Sequence, residues 1–388
     1  MLWGMFGPDT VVSQRRLQTL GLSTAVRHYN ERSVPGLGGL WFGMPIAWSL
    51  LGIWLSEARK KRPLESANAV EAAVMVQALK QGRSRSRGSR NLANVENPTY
   101  EKLCKRGSYV TQPFRMSTVE PLLRLGFVQG AGQRFNLYQL TEEAEQFLES
   151  FGKEMKYLGH WADGEALYPL PKLLPDEPLP EAAAKLLKRQ IRHCGKHSDI
   201  SRRCALLDLP KRELTLRPLL RSSRPARLES DHWDDLRSGI ALVQLREAAL
   251  SVLADIEERL GSDRTSALTI DQSIDAAAGR LAALSDAAKA MLAEKDSSPS
   301  QLGYALARHC LRPDIERVVE LARRDGVVIR LISNDRIALG PAGGERKEPS
   351  TEEDHAVSPN AEALVPELPR IANLYSLAID LENSENRG

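Results

Sequence analysis

His193, Cys194, His197 and Cys204 form an H-C-x2-H-x6-C string whose side chains a zinc ion would accept. A structural zinc site draws paired ligands from two knuckles, and only one such pair is present here. Cys194 and His197 also stand about one helical turn apart, which ordinary helix placement explains, so no metal is expected. His309 and Cys310 offer further ligands, but nothing links them to that string. Asp231, His232, Asp234 and Asp235 cluster ahead of an apolar-periodic stretch and have the chemistry of a metal site or a general base. The same position suits helix N-terminal capping, which is the expectation. A phosphate loop of the form G-x4-G-K-S/T is absent, and Gly36-Leu37-Gly38-Gly39 lacks the lysine that should follow. A G-x-S-x-G nucleophile elbow is also absent. No catalytic residue, cofactor or small-molecule substrate is selected. The chain is expected to bind rather than to catalyse.

What it binds is suggested by charge. The 388 residues carry a net charge of only +3. Residues 58–140, however, hold fifteen Lys/Arg against five Asp/Glu, and residues 184–228 hold thirteen against three. Two zones at +10 leave the remainder at −17, and such segregation draws polyanions through counterion release. The sharpest feature is Arg83-Ser-Arg-Ser-Arg-Gly-Ser-Arg90, a basic run without apolar anchors that reads as flexible and outside any core. The four scattered cysteines do not form a disulfide framework, which fits a reducing compartment and a cytoplasmic location.

The hydrophobic content of 42% supports real cores, and 5% aromatics favours aliphatic, helical packing over a β-sandwich. Val34 to Leu55 carries no charge and is followed by Arg59-Lys60-Lys61-Arg62, as a membrane span would be. Five glycines and Pro35 and Pro45 argue otherwise. Pro45 reads as the first turn of a buried globular helix from about Ile46 to Lys60. Ser66–Gln81 and Thr99–Lys105 read as helices. Met116–Leu125 follows, capped by Ser117 or Thr118 and stopped at Gly126. The period then shifts to two: Phe127–Gln129 and Phe135–Leu140 flank Gly130–Arg134 as a hairpin, and Thr141 opens another helix.

The words "LLRLGFVQGAGQRF" (122–135) and "NLYQLTEEAEQFL" (136–148) resemble the winged helix-turn-helix family, in particular its MarR-like members. The resemblance covers under a quarter of the chain, and the Arg/Ser-rich stretch between the first two helices departs from it. It implies a third helix in the major groove of duplex DNA and a wing on the backbone. Arg115, Ser117, Thr118 and Arg124 would then lie in or near the recognition helix, and Gln133 and Arg134 on the wing tip. Arg83, Arg85, Arg87 and Arg90 would follow a phosphate backbone or enter a neighbouring groove.

Five prolines between Tyr168 and Pro180 mark a linker. Beyond it, helices are expected at 183–193, 233–260, 271–295, 301–310 and 313–324. A hairpin with Asn334-Asp335 at its turn closes a helical domain that has the makings of a second, degenerate winged helix. The expected organisation is mainly α. It comprises an apolar segment with a buried helix (1–62), a winged helix domain with a basic insertion (63–152), the linker (165–182), a helical bundle with a terminal hairpin (183–341), and a largely disordered tail with a short helix (342–388). The function read from this is a non-enzymatic duplex DNA-binding subunit of a bacterial DNA-processing or antiviral defence complex, partnered by other protein subunits. Three competing readings remain: a membrane-attached scaffold using 34–55, a transcriptional repressor, and a metal-dependent nuclease using Asp231, Asp234 and Asp235.

Overall fold

The computed structural model describes residues 18–83, 85–92, 94–165, 171–209, 223–262, 266–295, 301–344 and 367–386. The chain is mainly helical, with two small antiparallel sheets. In order run α1 (Ser23–Ser33), α2 (Met44–Arg59), α3 (Pro63–Lys80), α4 (Ser89–Leu92), α5 (Tyr100–Leu103), a 3₁₀ turn (Phe114–Ser117) and α6 (Val119–Arg124). Next come β1 (Val128–Gln129), a 3₁₀ turn (Phe135–Leu137), β2 (Gln139–Leu140), α7 (Glu142–Glu149), α8 (Gly152–Ala162), α9 (Glu181–His193) and α10 (His197–Leu207). The rest is α11 (Ser230–Ser262), β3 (Leu268–Thr269), α12 (Ile270–Ala293), α13 (Gln301–Cys310), α14 (Asp314–Asp325), β4 (Ile329–Ser333), β5 (Arg336–Leu339) and α15 (Pro369–Glu385).

Two compact units divide the chain: residues 1–29 with 233–348, and residues 30–232 with 349–388. Each is built from discontinuous sequence, and the linker expected at 165–182 lies inside the second unit. In that unit α9 packs on α7 and α15, so the proline-rich connection joins elements of one body.

The centre of the second unit is the α2–α3 pair. Both helices carry a proline in the first turn, Pro45 in α2 and Pro63 in α3, where its fixed φ fits, and both are buried along most of their length. Gly52 makes the pairing close. A Cβ there would sit 2.3 Å from the Ala67 Cα, so any side chain would push α2 off α3. The uncharged stretch expected to form a buried helix does so, with Trp48 donating from Nε1 to the Leu173 carbonyl at 2.8 Å. Among the described residues no helix is long and apolar enough to cross a membrane.

In the first unit, Leu242, Leu245, Val252 and Ile256 of α11 pack with Leu281 and Leu284 of α12, and with Val318 and Leu321 of α14. Its sheet has the order β3–β5–β4, so the two residues ahead of α12 pair with the second strand of a hairpin some 70 residues later. A Thr269/Gln272 capping box starts α12. The buried Asp325 accepts from the Val328 and Ile329 amides at 3.1 and 2.7 Å, tying the end of α14 to the start of β4. The tail expected to be disordered, and Pro169 of the linker, lie outside the described residues; 341–344 and α15 are within them.

Candidate nucleic-acid interface

The edge of the second unit at the N-terminus of α3 gathers exposed cations. At the end of α2, Arg59 donates to the Gly159 carbonyl at 2.9 Å and pairs with Asp163 at 2.7 Å. Lys60 then takes a left-handed conformation (φ 52°) that turns the chain sharply, and Pro63 starts α3. The β1–β2 hairpin is drawn to the same place, because the Asn136 side chain accepts the Leu64 amide at 3.0 Å. Phe135 and Tyr138 anchor the hairpin tip from within, their rings 5.5 Å apart, and the Tyr138 hydroxyl donates to the Val119 carbonyl at 2.8 Å. Thr141 fixes the far end, donating to the Gly126 carbonyl at 2.7 Å and capping α7. Between these anchors Gln133 and Arg134 face solvent. Lys60, Arg62 (side chain 76% exposed) and Arg134 thus share one edge. Arg62 makes only a 3.9 Å contact to Glu65, while Lys61 pairs with Glu101 at 3.3 Å. Lys80 at the end of α3, Arg90 on α4, Lys102 on α5, and Lys105 and Arg106 after it are also exposed.

Of the ten residues expected at a DNA interface, nine separate into three groups and Ser117 stands apart. Arg90, Gln133 and Arg134 are exposed, and Arg124 has a side chain 41% exposed beside Glu120. Arg83 and Arg85 are already engaged: Arg83 pairs with Asp176 (3.2 Å) and Glu177 (3.6 Å), and Arg85 lies over the Trp41 and Phe42 rings and reaches Asp380. Arg87, Arg115 and Thr118 are buried. The Arg87 guanidinium stacks 3.7 Å from the Phe114 centroid and donates to the Gln112 carbonyl. Arg115 donates to Asn68 and lies over Phe135. Thr118 shares a 2.8 Å hydrogen bond with Ser49. Ser117 is half-buried and donates to the Phe114 carbonyl. The expectation that 83–90 forms a free basic arm is therefore corrected, because aromatic faces and carboxylates of distant elements hold its first arginines. Ser84 lies outside the described residues.

The expected recognition helix is also shorter than ten residues. A 3₁₀ turn and the six-residue α6 replace it, with Thr118 bonding back to the Arg115 carbonyl and Pro121 lacking an amide to donate. Glu71 of α3 sets that segment in place. Its buried carboxylate accepts from the Phe114 amide (2.7 Å), the Arg115 amide (2.9 Å) and the Tyr109 hydroxyl (3.0 Å). Burial pushes its carboxyl above the usual range and lowers the Arg115 guanidinium. Sequence reasoning missed Glu71, Lys60 and Arg62. The Arg59–Arg62 run is visible as a membrane-like flank and within the basic 58–140 zone, but the sequence does not single out its residues as contacts.

The other candidate chemistries are dispersed. Among the described residues no three His, Cys, Asp or Glu side chains gather as a metal site. Cys204 points its thiol at the Arg192 carbonyl, and Cys194, raised by burial, lies against Gly126. Asp231 pairs with Arg202 at 2.5 Å, and Asp234 pairs with Lys295 at 3.0 Å. Comparison with protein-family models, curated proteins and solved structures finds no match to this chain.

Proposed function

We propose that the protein binds duplex DNA, without catalysis, through the hairpin-bearing half of its second unit, in the manner of a winged helix. The observation that carries this reading is the Asn136–Leu64 contact. It brings the Gln133–Arg134 tip and the Lys60–Arg62 turn onto one exposed edge, on which Lys61 and Arg62 have carboxylate contacts and, among the described residues, Lys60 and Arg134 have none. Exposed cations on a solvent-facing edge suit repeated phosphates, whose contacts position a protein on the duplex. The order α3, two four-residue helices, the short α6, hairpin and capped α7 supports the same reading.

A parallel order in the first unit also supports it. There α13 and α14 are joined by three residues, a hairpin follows, and a strand ahead of the helices completes the sheet. The reading is tested by fluorescence anisotropy of a labelled duplex. Lys60→Glu/Arg134→Glu should weaken binding at least about tenfold, since each reversal replaces an attraction with a repulsion. Affinity equal to the parent would reject this edge as the interface.

A further inference from the structure

The turn between α9 and α10 holds a guanidinium with too few acceptors. Arg203 on α10 is only 1% exposed, and its hydrogen bond runs from Nη2 to the Cys194 carbonyl. Its Nε is buried without a partner. A guanidinium offers five N–H donors, and burying the cation with its Nε–H unpartnered and no carboxylate to pair with is costly. Among the described residues no carboxylate is within ion-pairing distance of it. Asp199, one turn back on α10, acts on it only through space, and the nearby Arg124 is a like charge.

Two glycines border this group. A Cβ on Gly36 would lie 3.6 Å from Arg203 Nη1 and 2.9 Å from the Arg124 Cβ. One on Gly195, at φ +114°, would lie 3.5 Å from Arg203 Nη2. The eleven-residue α10 begins two residues after Gly195, with no side chain capping its first amides, so its positive end opens beside the same guanidinium. Lys196 and His197 stand exposed at that end.

We propose that Arg203, Arg124 and the first turn of α10 form a binding site for a phosphate group. Arg203 offers its unpartnered Nε–H, the α10 amides offer further donors, and Arg124 supplies a second cation. Arg124 is also the movable wall: its side chain is 41% exposed and is held by a 3.9 Å contact to Glu120. Free phosphate and a backbone phosphodiester present the same oxyanion, so the site does not depend on the DNA reading.

The test uses the full chain and inorganic phosphate, titrated at constant ionic strength with chloride as the balancing anion. Binding is followed by calorimetry and by thermal melting. The wild type should show a saturable rise in Tm and a measurable Kd. Arg203→Met should abolish both, and Arg124→Ala should weaken the affinity at least about tenfold. No phosphate-specific rise in the wild type, or an undiminished one in Arg203→Met, would overturn the site. Should Arg203→Met fail to fold, unchanged affinity in Arg124→Ala would overturn it by itself. Displacement of phosphate by a duplex would assign the site to the nucleic-acid backbone, and phosphate binding without displacement would assign it to free phosphate; either result supports it. Loss of duplex binding with phosphate saturation intact would reject the DNA reading alone.

Discussion

The buried Glu71 and the half-buried Glu120 show how single carboxylates organise the second unit. Glu71 holds two backbone amides and a phenol that would otherwise lie unsatisfied next to α3. Glu71→Ala should therefore destabilise the protein by about 3 kcal/mol, because it orphans those donors as well as removing the acceptor. A urea midpoint within error of the wild type would contradict this role. Glu120 shares its surroundings with Glu31 and Arg370, and burial followed by the Glu31 charge pushes its carboxyl up to about 7. A folded-state pKa above the unfolded one means that the folded protein keeps its proton longer. The stability tied to Glu120 is then complete below pH 4.5 and is lost as the pH rises through 7. Unfolding measured from pH 5 to 8 should show a decline of up to about 3 kcal/mol from this group, and Glu120→Gln should flatten it. An equally steep profile in the variant would remove Glu120 as the cause.

At the scale of elements, caps and punctuation decide what the sequence reveals. Pro45 and Gly326 mark helix ends that the structure reproduces. The expected 301–310 helix is α13, and the expected hairpin turn at Asn334-Asp335 joins β4 to β5. These features are local, set by a ring, a missing Cβ or a short period. What escaped depends on contacts across the chain. β3 exists because it pairs with β5, and the burial of Arg87 depends on Phe114, which no spacing rule connects to it. The same distance effect splits the candidate site. The exposed Arg134 was legible from its glycine-rich turn, whereas the inward Arg115 and Thr118 were not, because Glu71 turns their segment away from solvent. Two substitutions test the caps in the first unit. Thr269→Ala should cost about 1 kcal/mol by opening the capping box of α12. Asp325→Ala should cost about 2 kcal/mol, since two hairpin amides lose their acceptor. Both are read from denaturant midpoints, and a neutral result at either would show that its cap is dispensable.

At the scale of the whole molecule, the near-neutral total hides a basic surface within an otherwise acidic chain, and the two units cut across the order in which that charge is written. The aromatic and acidic partners of Arg83, Arg85 and Arg87 withdraw part of the positive charge from solvent. The edge carrying Lys60, Arg62 and Arg134 keeps its share exposed. The most direct measurement is duplex affinity against salt concentration for the wild type and for Lys60→Ala/Arg62→Ala/Arg134→Ala. The account predicts a steep log–log dependence whose slope drops by about 1 for each lost phosphate contact, about 3 in all, with the melting temperature unchanged. A variant that keeps the wild-type slope and affinity would contradict it.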